Sequence, residues 1–457
     1  MGGVAALWDL RTWWARRLCS TLRLLLLTAL GALTSCAQSD APTAKMEGCP
    51  LPLVQPVGVN IVSYPSPGMP LFADRMASCD VPRLTVHHLV LPFDQLVMQA
   101  NIGMASRGKS SFQIIHVYDQ LLVEWASKGW LLPLDSEVAK YWKAYHLDEI
   151  SPELWQAVSY RGHIYALPAI QNTETFIYRR DLFARYDLHP PETYTDLLHV
   201  AQVLQRHGDT QYPLALMASR GQFSYLFGDI LASLGGHWFD NAGHARFNDA
   251  TGVRALEMIR ALRPYMHPAV TSTSPEDITV GLQQGQFAMA QLWSNASAQM
   301  DDPHLSRFVG HFGFAPPPRA CAGCPRAAYW AQDSWALPVN GGVDPDLLVR
   351  LILASTDLAG QRQDARLALM TRRPALANMA RDRYWAPALR TIAEGASALP
   401  RTAWAHLASE PVERFGIAAV LGDLPAKSAL DQAAAEFERR AHHAACFETA
   451  PPKKNVC

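Results

Sequence analysis

The stretch "GHIYALPAIQNTETFIYRRDLF", from Gly162 to Phe183, decides the fold. It begins as an apolar run as far as Pro168, becomes polar over "QNTET", and turns apolar again at Phe176 to Tyr178. A strand buried in a single core has no reason to be polar in its middle. The pattern therefore indicates a segment that passes through two packing environments, with a polar boundary between them.

Length and composition predict a large globular protein. The chain has 457 residues, of which 49% are hydrophobic, so it can form two or three folding units. Its formal net charge is −1 at pH 7. This balance lacks the basic character of a nucleic-acid-binding surface, and no nucleic acid partner is expected.

The N-terminus is typical of an export signal. Basic residues precede the apolar run "LLLLTALGAL" at 24–33, which is too short to span a bilayer. The following tetrad "LTSC", Leu33 to Cys36, resembles a bacterial lipobox. The resemblance implies a lipoprotein signal peptide over 1–35, lipidation of Cys36, and a polar tether over 36–49. An ordinary signal peptide with an incidental cysteine is the alternative.

Six further cysteines follow Cys36, and an even number in an exported chain favours disulfides. They are Cys49, Cys79, Cys321, Cys324, Cys446 and Cys457, and the sequence leaves their pairing open. The "CAGC" pair could suggest a zinc or redox site. No second CxxC or nearby histidine pair accompanies it, so a local structural disulfide is favoured.

Beyond Pro56, strand-like runs alternate with helical patterns, which predicts α/β layers. Strands are expected at 57–64, 83–91 and 112–119. Two helices carry clear starts, since Thr193 stands three residues before Asp196 and Ser274 three before Asp277, the spacing of a capping box. Gly208 is expected to end the first of these helices.

The common catalytic signatures are missing from the sequence. It contains no GxSxG, HExxH, P-loop or GxGxxG motif. The histidine pairs His87-His88 and His442-His443 are sequence neighbours, whose side chains diverge and make poor metal chelates. We therefore expect no enzyme activity, no metal site and no cofactor.

With catalytic motifs missing, aromatic residues near turns and strand ends are the remaining candidates for ligand binding. Trp238, Trp293, Tyr329, Trp330 and Trp335 are interleaved with Asp, Asn, Gln and Glu. Sugars present a C–H face that packs on aromatic rings and hydroxyls that need amide and carboxylate partners. Core packing is the alternative for each tryptophan taken alone, and a cluster of them in one cleft would favour sugar binding.

Taken together, these segments resemble the bacterial extracellular solute-binding proteins of the carbohydrate type. The opening stretch and its continuation match at Tyr165, Pro168, Tyr178, Asp181, Leu182, Phe183, Pro190, Pro191, Thr193 and Leu197. The blocks "VYDQLLVEWASKGWLLPLD", "LQQGQFAMAQLW" and "LGDLPAKSALDQAAAEF" match in the same order along the chain. The departures are Arg179-Arg180, Asp333-Ser334 and an added cysteine loop at 320–325.

The resemblance implies an α/β, two-lobe periplasmic-binding-protein-like fold of type II, with a ligand cleft that closes by hinge motion. Carried over segment by segment, lobe one comprises 50–169 and 311–356. Lobe two comprises 176–307 and 360–445. The first hinge crossing is 170–175.

The matching positions imply a set of ligand contacts in the cleft. These are Tyr64, Asp119, Gln120, Asn172, Glu174, Trp293, Asp333 and Trp335. For Glu174 a hinge salt bridge with Arg179 or Arg180 is the alternative. For Asp333 the alternative is the cap of a turn.

The function that the resemblance implies is that of a periplasmic, lipid-anchored and monomeric substrate-binding protein. It would capture a sugar or polyol and deliver it to the permease subunits of an ABC importer. A tethered binding protein that serves a sensor or a periplasmic enzyme system is one alternative, and a secreted glycoside hydrolase is another. The ligand and the membrane that holds the anchor stay open.

Overall fold

A computed structural model describes residues 53–79, 81–395 and 405–449, apart from the side chains of 406 and 443–449. These residues belong to one compact unit, Ala44–Cys457. The predicted signal peptide, Cys36 and the whole of the predicted tether at 36–49 lie outside them. No helix in the described ranges combines the length and apolar character needed to cross a bilayer.

The strands form one mixed sheet and a separate two-stranded hairpin. The strands are β1 (Val57–Ser63), β2 (Leu84–Val90), β3 (Ile114–Tyr118), β4 (Ser159–Tyr160), β5 (His163–Ile164), β6 (Ala166–Arg179), β7 (Leu214–Leu216), β8 (Met289–Trp293), β9 (Phe312–Ala315), β10 (Trp330–Ala336) and β11 (Leu369–Met370). The sheet order is β2-β1-β3-β10-β6-β8-β7, and both β9 and β11 pair with β6. Strand β6 is therefore the element that the others share.

Helices cover both halves of the sheet. They are α1 (Met69–Ala77), α2 (Phe93–Ala105), α3 (Asp119–Ser127), α4 (Asp135–Tyr141), α5 (Pro152–Ala157), α6 (Arg180–Arg185), α7 (Tyr194–His207), α8 (Phe223–Ser233), α9 (Ala250–Leu262), α10 (Pro275–Gln283), α11 (Pro345–Ser355), α12 (Leu358–Asp364), α13 (Arg373–Met379), α14 (Ala386–Glu394), α15 (Ala405–Leu421) and α16 (Ala426–Thr449). A 3₁₀ segment, Ser294–Asp301, follows β8.

Both predicted capping boxes are confirmed. The Thr193 side chain accepts from the Asp196 backbone N–H at the start of α7, and Ser274 and Asp277 make the same exchange at α10. Gly208 adopts the left-handed conformation that ends α7. The sequence signals for these helix ends are thus local and act as expected.

Most of the opening stretch, Ala166–Arg179, folds as one continuous strand, β6, that serves two halves of the molecule. Its first half pairs with β10 and β11, and its second half pairs with β8 and β9. The polar middle, Gln171 to Thr175, is buried. Because buried polar groups need hydrogen-bond partners, this boundary is where polar side chains from other elements converge.

Separate apolar cores lie on either side of that boundary. The first core takes buried side chains from residues 59–170 and 335–388. The second half of the molecule holds two cores, drawn from 176–331 and 405–437, on opposite faces of its sheet. We call these halves lobe one and lobe two.

The segment 311–356, predicted as part of lobe one, is divided between the lobes. Strand β9 pairs with the lobe-two end of β6, and Phe312, Ala320 and Tyr329 are buried in lobe-two cores. Lobe one resumes at Trp335, which is buried in its core. The chain therefore crosses back along β10, later than the predicted boundary.

The segment after 360, predicted as part of lobe two, begins in lobe one. Strand β11 pairs with Ile170 and Gln171 of β6, and Trp385 and Ala388 belong to the lobe-one core. Lobe two is rejoined by α15 and α16, whose buried residues lie in its core. Within the segment after 360, only α15 and α16 pack in lobe two.

The cysteine loop of 320–325 is closed by a Cys321–Cys324 disulfide, which confirms the local disulfide predicted from the CAGC spacing. Cys79 is also disulfide-bonded. Cys36, Cys49 and Cys457, and the side chain of Cys446, lie outside the described residues.

Candidate functional site

Polar and aromatic residues collect where strands of both lobes end at the boundary. Tyr64 follows β1, Tyr118 ends β3 and Asp119 begins α3 in lobe one. Trp293 ends β8 in lobe two. In open α/β sheets, ligands bind in the crevice beyond the carboxyl ends of strands. This cleft between the lobes is therefore the candidate site.

On the lobe-one wall, Asp333 lies among polar side chains from other elements. Its Oδ1 lies 2.6 Å from the Tyr64 hydroxyl and 3.0 Å from His116 Nε2, and its Oδ2 accepts from Ser66 Oγ at 3.1 Å. The Tyr64 ring stacks on His116 with centroids 3.9 Å apart. Asp333 thus fixes the tyrosine that lines this wall.

The environment of Asp333 favours its charged form. Burial alone would raise the pKa of this carboxyl, but the attraction of His116 and the hydrogen bonds from His116, Tyr64 and Ser66 leave the pKa below its usual value. For Tyr64, burial and the neighbouring carboxylate raise the pKa, so its hydroxyl stays protonated. Asp333 is consequently a fixed anion and Tyr64 a fixed donor.

On the lobe-two wall, three aromatic rings pack against one another. Tyr225 from α8 stacks on Tyr329 with centroids 4.4 Å apart, and Trp293 meets Tyr225 edge-on at 5.5 Å. Trp293 Nε1 donates to Gln222 Oε1 at 3.0 Å. These contacts within lobe two orient the indole.

A pair of buried acids lies beside these rings. Glu174, opposite Trp293 in the β6–β8 register, accepts from Gln291 Nε2, and Asp229 Oδ2 lies 3.4 Å from the same nitrogen. Burial raises the pKa of Glu174, and burial together with the nearby Glu174 raises the pKa of Asp229 well above its usual value. Each acid of the pair therefore takes up a proton more readily than an exposed carboxyl does.

Two contacts cross the cleft from lobe to lobe. The Tyr329 hydroxyl of lobe two donates to Asp119 Oδ1 of lobe one at 2.6 Å. The hydroxyls of Tyr118 and Tyr225 are also hydrogen-bonded across it. The lobes are thus closed on each other in this structure.

The structure brings five of the predicted contacts to the cleft walls or the acid pair beside them: Tyr64, Asp119, Glu174, Trp293 and Asp333. Asn172 lies at the crossing, where its Oδ1 accepts from Ser294 Oγ at 2.8 Å. Gln120 is half-buried at the start of α3, and its Nε2 has no hydrogen-bond partner among the described residues.

Trp335 takes the core position considered as the alternative for each tryptophan. It is fully buried in the lobe-one core, opposite His116 in the β10–β3 register. It stands two residues further along β10 than Asp333, where lobe one covers the sheet. Trp335 therefore supports the wall from behind and has no surface in the cleft.

Neither the salt bridge considered for Glu174 nor the turn cap considered for Asp333 is found in this structure. Arg179 pairs with Asp181, with Nη2 2.6 Å from Oδ2, and Arg180 donates to the Gly310 carbonyl, so neither forms an ion pair with Glu174. Asp333 lies within β10 and caps no turn. Both acids instead face side chains from other elements.

Several residues of the site were not among the predicted contacts. Tyr118, Tyr225, Asp229 and Gln291 hold the positions described above, and the sequence marks Tyr329 only as an aromatic residue after the cysteine loop. One signal was present, because Asp229 interrupts the apolar helix sequence "FSYLFGDILAS" and Tyr225 stands one turn before it on the same face.

The site combines hydroxyl groups, carboxylates and aromatic faces contributed by both lobes. Such groups suit a neutral ligand with many hydroxyls, since carboxylates accept from hydroxyls while rings cover C–H faces. Within the described ranges, no group of three or more His, Cys, Asp or Glu side chains is placed to hold a metal ion.

Comparison with known proteins agrees with this arrangement. Residues 97–340 match the family model described as bacterial extracellular solute-binding protein. A mannitol-binding protein of Pseudomonas aeruginosa is 28% identical over 264 residues, which are 56% of this chain and 58% of that protein. The match thus spans little more than half the length of this curated relative.

Solved structures share the fold. A solute-binding protein of Agrobacterium vitis S4 with bound D-mannitol has a TM-score of 0.73 at 19% identity, covering 85% of this chain and 99% of that one. Maltose-bound T. maritima MalE3 has a TM-score of 0.72 at 19% identity, covering 83% and 99%. The predicted two-lobe α/β fold is therefore confirmed, and the chain belongs to the bacterial extracellular solute-binding protein family.

Proposed function

We propose that this protein captures a sugar or polyol between its lobes and delivers it to the permease subunits of an ABC importer. The contact that carries the proposal is the Tyr329–Asp119 hydrogen bond, with donor and acceptor from opposite lobes. A ligand with several hydroxyls can replace such bonds on both walls at once. Its binding would then stabilise the closed form, which the permease recognises.

The relatives support a polyol or sugar as the ligand class. The similar protein of Pseudomonas aeruginosa is named for mannitol, and a structure of the same fold contains D-mannitol. We further propose export, a periplasmic location, lipid anchoring through Cys36, action as a monomer, and binding without covalent chemistry.

The test is calorimetric titration of the soluble protein, begun after Cys36, with D-mannitol, ribitol and maltose. Binding of at least one is expected, and saturation at about 100 times Kd should add about 2.7 kcal/mol to the free energy of unfolding. If none of a wide set of sugars and polyols binds or raises the melting temperature, the ligand assignment fails.

Matched variants locate the site. Trp293→Ala should weaken binding about tenfold by removing a ring from the wall, and Asn172→Ala should weaken it without unfolding the protein. Trp130→Ala, a half-buried tryptophan of lobe one outside the cleft, should leave affinity unchanged. Equal losses from Trp130→Ala and Trp293→Ala would place the ligand elsewhere.

A further inference from the structure

The start of α8 supplies part of the lobe-two wall of the cleft. Tyr225, in its first turn, stacks on Tyr329 and meets Trp293 edge-on. Gln222, the residue directly before α8, accepts from Trp293 Nε1 at 3.0 Å. The orientation of these rings therefore depends on whether the start of this helix keeps its shape.

The residue before α8 does not cap this helix. The first backbone N–H groups of a helix have no partner within it, and a Ser, Thr, Asp or Asn side chain at the preceding position usually accepts from one of them. Here that position is Gln222, whose side chain makes no such hydrogen bond. Its oxygen accepts from Trp293 instead. The cap must therefore come from another part of the chain.

Glu413 of α15 supplies the cap. Its Oε2 accepts from the Gly221 backbone N–H at 2.8 Å, and its Oε1 accepts from Ser224 Oγ at 2.9 Å. The backbone N–H of Ser224 also donates to this carboxyl. Ser224 is the second residue of α8, where the side chain of a capping residue normally bonds. A carboxylate 189 residues further along the chain than Ser224 therefore caps α8.

Close packing of α15 on α8 holds this carboxyl in place. Gly416 lies three residues after Glu413 and therefore on the same side of α15. A Cβ atom added at Gly416 would lie 2.4 Å from the ring of Phe223, the first residue of α8. Glu413 is only 8% exposed, and Phe223 is fully buried. The glycine thus lets α15 approach α8, which leaves the carboxyl little room to move.

A carboxylate suits the position that Glu413 occupies. The aligned peptide dipoles of a helix leave its N-terminus partly positive, so a carboxylate there is stabilised. Glu410, one turn earlier on α15, provides a contrast, because its side chain is 52% exposed and pairs with Arg414 and Arg440. One acid of α15 therefore caps α8, while the other forms ion pairs at the surface.

We propose that Glu413 is a positioning residue for ligand binding: by capping α8 it holds Tyr225 and Trp293 in the orientation that the ligand contacts. Without this carboxylate, the N–H groups of Gly221 and Ser224 lose their acceptor, and the first turn of α8 opens more often. The rings of the wall then adopt other orientations as well. Because only a fraction of the molecules has the competent wall, the apparent affinity falls, a step that rests on the proposed function.

Hydrogen–deuterium exchange and titration of the soluble protein with D-mannitol test this role. Glu413→Ala should speed exchange of the segment 219–226 about tenfold in the ligand-free protein and weaken D-mannitol binding about tenfold. Glu410→Ala removes a carboxylate one turn away and should change neither. Val412→Ala removes buried methyl groups from the same helix, so it should lower the melting temperature and leave the affinity unchanged. This pair of controls separates positioning from stability alone.

Wild-type affinity in Glu413→Ala together with a lowered melting temperature would overturn the proposal, and so would unchanged exchange of the segment 219–226. If Glu413→Ala does not fold, Glu413→Gln decides, because it keeps one acceptor and should produce smaller changes in the same direction. If the wild type binds neither D-mannitol nor any other sugar or polyol, the proposed function fails. The exchange measurement then still decides whether Glu413 caps α8.

Discussion

Each wall of the cleft contains buried carboxyl groups, but the pKa values of these groups are shifted in opposite directions on the two walls. Asp333 in lobe one faces Tyr64, Ser66 and His116, all of which can donate to it or carry positive charge. In lobe two, Glu174 faces Asp229, and Gln291 is the donor placed near both. Glu174 Oε1 and Asp229 Oδ1 find no hydrogen-bond partner among the described residues.

The difference shows that, at similar burial, the neighbouring groups decide the direction in which the pKa of a carboxyl is shifted. All three carboxyls are less than 5% exposed. Despite burial, its partners bring the pKa of Asp333 below the usual value. Burial raises the pKa of Glu174, and burial together with repulsion from Glu174 raises the pKa of Asp229. One wall presents a fixed anion, and the other presents two acids that take up protons more readily than exposed carboxyls.

Opposite pH dependences follow for stability. The contribution of Asp333 is present above its unfolded pKa and is lost as pH falls through its lowered folded pKa. The contribution of the Glu174–Asp229 pair is present below their unfolded pKa values and is lost as pH rises through their raised folded values. Acid therefore weakens the first wall, and base weakens the second.

The largest effect is expected when the charge of the lobe-one wall is removed. Asp333→Asn leaves His116 without its carboxylate partner and takes an acceptor from Tyr64 or Ser66, so the free energy of unfolding should fall by about 3 kcal/mol. Urea denaturation at pH 7 measures this loss. The loss should be smaller in acid, where the wild-type carboxyl also becomes protonated.

An exposed pair of the same kind supplies the control. Asp135 Oδ2 lies 3.1 Å from His163 Nδ1, and both side chains are more than 40% exposed. Asp135→Asn should cost less than about 1 kcal/mol. Comparable losses from Asp135→Asn and Asp333→Asn would show that the buried lobe-one cluster contributes no more to the free energy of unfolding than an exposed ion pair.

A change of opposite sign is expected on the lobe-two wall. Asp229→Asn removes one of two facing carboxyls and supplies an amide donor to Glu174, so it should raise the free energy of unfolding at pH 8 by about 1 kcal/mol. The gain should vanish at low pH, where the wild-type pair is protonated. Melting curves across this pH range test it, and destabilisation at every pH would mean that the pair does not share a proton.

Local signals in the sequence predict much of this architecture. The capping boxes, the end of β8 at Trp293 and the polar middle of β6 each rest on a few neighbouring residues, and each lies where expected. The family resemblance alone points to Asp333, and its partner Tyr64 lies 269 residues away. No spacing rule connects such distant positions.

The features that the sequence does not predict depend on how helices and strands pack against one another. Trp335 and Asp333 belong to the same strand, and only the depth of the lobe-one core separates a buried role from a cleft role. Helix α8 is apolar on most of its surface, so the sequence does not show that Tyr225 faces the cleft. The late return to lobe one along β10 likewise follows from strand pairing across the crossing, which composition does not reveal.

The smallest effect is expected when Asp333 loses a single hydrogen-bond donor. Ser66→Ala deletes the hydroxyl that donates to Asp333 Oδ2 and should cost about 1 kcal/mol at pH 7. Because a protonated carboxyl needs this donor less, the loss should shrink in acid, as melting curves at several pH values would show. Ser78→Ala is the control, since Ser78 Oγ donates to the Arg75 carbonyl, which does not titrate. If both losses are independent of pH, Asp333 is not the charged partner of Ser66.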